Sequence, residues 1–343
     1  MMRIRTGRLR LLMLPAKSSQ ICATTPTLIL GAFCKLANTR MATHLHTSTA
    51  AKVHAENDSL FVQLGQRRVP LTAKYDSLWA ELPLVQKFLP FQQWAQRLSN
   101  QLDTTVTGSQ LEVHGVQVTD IDYFGPGCIG FVKFKADIKW IDDVDGGSNR
   151  AGTGPSVPGI VFCRGGAVAV LLIVRPLGHS RGSAVEEGLL PTQDQWVVLT
   201  MQPRVPIGAL EEMALPAGML DGDSNFSGVA AKELQEECGI QLAASDLIDL
   251  TDYRLQDEDH GIDASTLGLH PSAGGCDEFI RLFLCEKELP LEQIQALQGR
   301  EGGLRSKGER IQVRLVPLQD LWRSTRDMKA LAALALYQQR RQL

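Results

Sequence analysis

Glu233, Glu236 and Glu237 stand three and four residues apart in a stretch, residues 226–238, whose apolar residues recur at helical intervals. On a regular helix that spacing gathers all three carboxylates on one face. Ala230, Leu234 and Cys238 then lie on another side, suited to packing on a sheet. Three like charges on one stripe repel each other. They persist either as a solvated acidic face or because a cation neutralises them. An oxygen-only donor set suits Mg²⁺ or Mn²⁺, ions that retain water and bridge to substrate phosphates. Just ahead, Pro216, Ala217 and Gly218 leave a strand through a tight turn, and a polar loop follows through Asp221, Ser224 and Asn225. The helix begins near Ser227 and stops at Gly239, a residue suited to ending helices.

The order along the chain is Gly218, five residues, Ser224, seven residues, then Lys232-Glu233-Leu234-Gln235-Glu236-Glu237-Cys238-Gly239-Ile240. This resembles the Nudix box, the loop–helix–loop signature of the Nudix hydrolases: Gly, five residues, Glu, seven residues, Arg-Glu-aliphatic-any-Glu-Glu-any-Gly-aliphatic. All but two specified positions match. Ser224 replaces the first Glu, and Lys232 replaces the Arg. So long a spaced motif is far more specific than a short glycine pattern. Gln202, Arg204, Val205, Pro206 and the Leu215-Pro216-Ala217-Gly218 run look like the region preceding the box in ADP-sugar pyrophosphatases. Gly274-Gly275-Cys276-Asp277-Glu278 is similar to that subfamily's Gly-Gly-any-Asp-Glu loop. Ala214 stands where many relatives carry Glu. From about residue 110 to 340 the likeness is strongest to the plastid ADP-glucose-type enzymes of plants.

The resemblance implies Mg²⁺-dependent hydrolysis of a nucleoside diphosphate linked to a sugar, giving nucleoside monophosphate and sugar phosphate. It implies that Glu233, Glu236, Glu237 and the carbonyl of Ala217 hold the metal, with Mn²⁺ a possible substitute. Catalysis falls to Glu237 and to a general base in the glycine loop, Glu278 in preference to Asp277. Substrate contacts fall to Gln202, Arg204 and Gly218. The Arg204 fork suits diphosphate oxygens, and a surface ion pair is the plainer alternative. Trp140 or Phe134 could stack an adenine or pack in the core. A UDP-sugar substrate and a Nudix-fold binding module without catalysis are the competing readings.

The elements that must position these residues follow from periodicity and turn residues. Strands are expected at 60–64 and 67–72 around Gly65-Gln66, at 111–119, 128–135, 159–163, 167–174, 196–201, 246–252, 278–285 and 311–316. Helices are expected at 75–102, 226–238, 291–297 and 318–339. Residues 145–158 and 253–275 read as loops. Mixed strands with a few helices indicate an α/β class. The resemblance makes it a Nudix α/β/α sandwich with a mixed sheet over residues 151–343. A smaller β-rich region at 56–150 precedes it, which in relatives forms a homodimer.

Charge divides the chain again. Residues 1–55 hold eight Lys/Arg and no Asp or Glu; from Glu56 onward 27 bases face 38 acids, a net of −11. The Arg-rich, Ser-rich, acid-free segment 1–55 reads as an organelle transit peptide. It suits plastid or mitochondrion, and the family resemblance favours plastid. An acidic body excludes general nucleic-acid binding. No apolar run is long enough to span a membrane. Seven scattered cysteines without metal-ligand spacing indicate reduced thiols.

Overall fold

The computed structural model describes residues 60–141, 154–178, 195–220, 225–255 and 268–342. The expected transit peptide, Ser224, most of the 145–158 loop and most of the 253–275 loop lie outside the described residues. The first sheet has five strands in the order β1-β2-β3-β4-β5: Phe61–Leu64, Arg67–Ala73, Leu111–Gly125, Cys128–Trp140 and Ile160–Cys163. Only β2 and β3 run parallel within it. Helices α1 (Leu82–Lys87), α2 (Leu89–Thr104) and the short α3 (Val106–Ser109) lie between β2 and β3. α1 and α2 are separated at Phe88 because Pro83 and Pro90 each occupy the first turn of a helix, where a missing N–H costs least. Phe134 packs edge-on against Phe91 and Trp94 at 5.3 and 4.5 Å and is fully buried, so it belongs to this core. Trp140 ends β4 and is 37% exposed.

The second sheet follows the order β10-β11-β6-β7-β13-β12, with β8 added to β7 and β9 to β6. Its strands are β6 (Gly166–Pro176), β7 (Trp196–Arg204), β8 (Ala209–Ala214), β9 (Ala217–Met219), β10 (Ile248–Asp249), β11 (Phe279–Leu289), β12 (Glu301–Gly302) and β13 (Ile311–Pro317). β6 and β11 are parallel and their neighbours antiparallel, so the sheet is mixed. β6 is apolar on both faces. Ala167, Ala169, Leu171 and Ile173 enter one core, and Val168, Val170, Leu172 and Val174 enter the other. That alternation is the period-two rule applied to a strand covered twice. One face carries α8 (Met328–Gln342) through Ala330, Ala333, Leu334 and Tyr337. The other carries α4 (Phe226–Glu233) with its continuation, and α6 (Leu291–Leu297), through Val229, Ala230, Leu234, Cys238, Ile294 and Leu297. The result is an α/β/α sandwich preceded by a β-rich region. Among the described residues no helix is long and apolar enough to cross a membrane. Cys163, Cys238 and Cys285 are buried free thiols, as expected.

Several elements differ from expectation: residues 76–81 of the expected 75–102 helix form a 3-10 turn, and β8, β9 and β12 were not expected. Residues 246–252 form only the two-residue β10, then α5 (Leu250–Leu255). Asp249 accepts from the amides of Thr251 and Asp252 at 2.8 and 2.9 Å, the N-terminal cap that turns strand into helix. The expected helix at 318–339 is interrupted. A short turn and α7 (Leu321–Ser324) are followed by extended Thr325 before α8 begins. Thr325 is held extended because its hydroxyl bonds the carbonyl of Met213.

Candidate active site

The segment joining β8 to β9 runs across the gap that opens where β6 and β7 part. Gly218 has no room for a side chain: a Cβ there would lie 2.1 Å from the Glu233 carboxylate. The glycine lets the turn approach the helix that closely. Asn225 starts that helix by accepting from the Gly228 amide at 3.0 Å. Gly239, at φ +63°, ends it in the left-handed conformation.

Between those ends the helix is not uniform. It is α-helical to Glu233 and widens to a π turn over Leu234–Cys238. The expectation that all three carboxylates share one face assumes α-helical spacing throughout, and the wider turn breaks it. Glu237 turns inward and is 6% exposed, and its Oε2 accepts from the Ala217 amide at 3.1 Å. Glu236 stays partly exposed and pairs with Lys232 at 3.7 Å. Lys232, standing in place of Arg, thus neutralises one carboxylate of the helix. Among the described residues no three His, Cys, Asp or Glu side chains converge as a ready-made metal cluster. The structure brings Glu233 and Glu237 together at Ala217-Gly218, and Glu236 faces Lys232.

Burial, and then the neighbouring charge of Glu233, push the Glu237 carboxyl up to about 8. The Ala217 amide, Arg204 and Gln202 pull the other way. Gln202 and Arg204 sit near the end of β7, beside β8. Gln202 Nε2 is buried with no partner at hydrogen-bond distance. Arg204 precedes the turn Val205–Ile207 and bears on Glu278 as well as Glu237.

Glu278 pairs with Arg164 at 3.3 Å. Burial raises its pKa, and Arg164, Lys329 and Arg204 oppose that rise. Arg164 was not singled out from the sequence. It stands where the chain passes from the first sheet to the second, ahead of Gly165-Gly166, and that glycine pair was the available signal. Lys329 lies in a helix 51 residues downstream of Glu278, and no local pattern marks it.

Asp277 has a different position. Its Oδ1 accepts from the amides of Arg164 and Gly165 at 2.7 and 3.2 Å, and Oδ2 from the Cys163 thiol at 3.3 Å. The side chain therefore holds the crossing between the sheets. The Gly274-Gly275 segment is also anchored. The Phe162 amide donates to the Gly275 carbonyl at 2.8 Å, and the Gly275 and Cys276 amides return to Ser272. This segment is thus tied to β5.

This donor set fits a small hard cation. Two carboxylates at one turn with the Ala217 carbonyl are an all-oxygen set. Mg²⁺ uses one or two carboxylates and takes its remaining ligands from water and phosphate.

Residues 157–337 match the family model of the NUDIX domain. Nudix hydrolase 14, chloroplastic, of Arabidopsis thaliana is 40% identical over 250 residues, covering 72% of this chain and 69% of that protein. Among solved structures, a crystal structure of an ADP compounds hydrolase is 14% identical with a TM-score of 0.40, covering 68% of this chain and 95% of its own.

Proposed function

The chain belongs to the NUDIX family of hydrolases, and from that premise we propose that it hydrolyses the diphosphate bond of ADP-sugars such as ADP-glucose and ADP-ribose. The products are AMP and the sugar phosphate. One observation carries this reading: Gly218 lies against the Glu233 carboxylate while the neighbouring Ala217 amide donates to the buried Glu237. Two acids at one turn suit a cation that bridges to a diphosphate, and the Arg164–Glu278 pair offers a guanidinium and a carboxylate to phosphate and water. The buried Gln202 amide, which faces Glu237, offers a donor to the same substrate.

Glu233 and Glu237, with the Ala217 carbonyl, would hold Mg²⁺, and Mn²⁺ would serve in its place. Glu236 faces Lys232. The cation would neutralise diphosphate oxygens that otherwise repel a nucleophile. Gln202 and Arg204 bind and orient the diphosphate, and Gly218 gives it backbone room. Glu278 takes the proton as water adds across the P–O–P linkage. Its raised pKa brings a carboxylate nearer to that task. Asp277, committed to Arg164 and Gly165, positions Glu278 rather than exchanging protons itself.

The deciding experiment incubates the protein with Mg²⁺ and ADP-glucose, ADP-ribose or UDP-glucose. Release of AMP from the first two, faster than UMP from the third, is expected. UMP alone would make it a UDP-sugar enzyme, and tight binding without turnover would make it a binding module. We place the protein in the plastid. The leader chemistry of residues 1–55 and the chloroplastic name of the Arabidopsis relative support this. Mass spectrometry of protein isolated from plastids should find an N-terminus near residue 56, and one still at Met1 would remove the transit peptide.

A further inference from the structure

Three consecutive residues between α7 and α8 reach back to the strand that delivers the active-site turn. Thr325 donates its hydroxyl to the Met213 carbonyl. Arg326 pairs with Glu212 at 3.4 Å. Asp327 Oδ2 accepts from the Leu215 amide at 2.9 Å. The other oxygen of Asp327 accepts from the Lys329 backbone at 3.1 Å and from Lys329 Nζ at 2.7 Å. The Thr325 hydroxyl in turn accepts from the Asp327 amide at 3.0 Å.

Capping α8 needs only one oxygen of Asp327; the second serves Leu215. Leu215 is fully buried and lies between strands, past the end of β8 and before β9. A buried amide without a ladder partner is costly, so the carboxylate fills a definite vacancy in the hydrogen bonding. The next residue, Pro216, has no amide to offer, and its carbonyl accepts from Val170 at 3.0 Å. The residue after that, Ala217, donates to Glu237. The path of Leu215–Ala217 is therefore fixed at three successive points, and Asp327 supplies the first.

We propose that Asp327, held by Lys329, is a positioning residue that sets the Leu215–Ala217 turn and through it the place of Glu237. The proposal rests on the reading of Glu237 and Ala217 as divalent-cation donors, and the test separates the two.

Asp327→Ala and Asp327→Asn are compared with the wild type in the full chain. Hydrogen exchange at residues 213–217 and Mn²⁺ binding by electron paramagnetic resonance are measured without substrate. Asp327→Ala should speed exchange of the Leu215 amide at least tenfold and weaken Mn²⁺ binding about tenfold, the usual cost of losing a residue that orients a ligand. The rate at low Mg²⁺ should fall and recover at high Mg²⁺, with the KM for the nucleotide sugar changed less than twofold. Asp327→Asn keeps an acceptor and should restore most of the Leu215 protection. Wild-type exchange at Leu215 in Asp327→Ala overturns the proposal, as does exchange raised evenly across the second sheet. A wild type that binds no Mn²⁺ removes the cation reading, and the exchange result still decides the clasp.

Discussion

Glu237 is held by opposing forces. Burial and Glu233 favour its protonated form, while the Ala217 amide and Arg204 favour the charge. The folded pKa lies above the unfolded one, so protonation favours the fold. That contribution is full below about 4.5 and is lost as pH rises through about 8. Without metal the loss is on the order of a few kcal/mol. Thermal scans in chelator should show the melting temperature falling from roughly pH 5 to pH 9, and Glu237→Gln should flatten that fall. Equal slopes for both proteins would mean that Glu237 is not the group titrating. Glu278→Gln should lower kcat by roughly 10²–10⁴-fold with nucleotide affinity kept; rapid-mix assays with binding titrations check both halves, and an unchanged kcat would move the base elsewhere. The acids, the arginine of β7 and the glycine turn were legible because they sit in one spaced motif and its flanks. Arg164 and Asp327 were not, because each acts across more than 100 residues, Arg164 on Glu278 and Asp327 on Leu215.

At the scale of elements, patterning located the long strands and helices but missed the short β8, β9 and β12 and the internal irregularities. The run of apolar residues at 167–174 could only be a strand covered twice. The helix carrying the acids was equally plain from Val229, Ala230, Leu234 and Cys238. Its π turn was not, because a widened turn arises from what the backbone meets. The Glu236 carbonyl accepts from the Gly303 amide at 3.0 Å, and a Cβ at Gly302 would lie 1.9 Å from the Glu237 carbonyl. The break at Thr325 has the same origin, a tertiary contact with Met213. By contrast, Asp249 was a readable cap that the apolar pattern around it obscured. Gly218→Ala tests how closely turn and helix must approach. The obstructing atoms end a flexible Glu233 side chain, so the fold tolerates the change while the carboxylate moves. A melting temperature within a few degrees of wild type and kcat/KM lowered about 100-fold are expected. An unaffected kcat/KM would show that the position of Glu233 does not matter.

For the whole molecule, the two sheets are joined at Cys163–Gly166, and Asp277 fastens that joint from the residue next to Glu278. The first sheet leaves Tyr123, Phe124, Ile160 and Phe162 exposed by 37–63%. Apolar surface of that kind supports the proposal that this region meets a second copy. Light scattering at working concentration should give twice the monomer mass, and a monomer would count against the dimer. The dimer came from resemblance alone, since no single chain spells out what its surface meets.

The parallel pairing of β6 with β11 also bears on how the chain folds. Gly166 meets Phe279 across 113 residues of sequence, as Arg164 meets Asp277. The first sheet closes almost entirely within residues 61–163. Loop-closure entropy favours such early contacts and delays distant ones. A chain that emerges from its N-terminus can therefore assemble the first sheet while β6 still waits for its partner. The crossing between the sheets and the place of Glu278 wait for β11, and the Leu215–Ala217 turn waits for the still later Asp327.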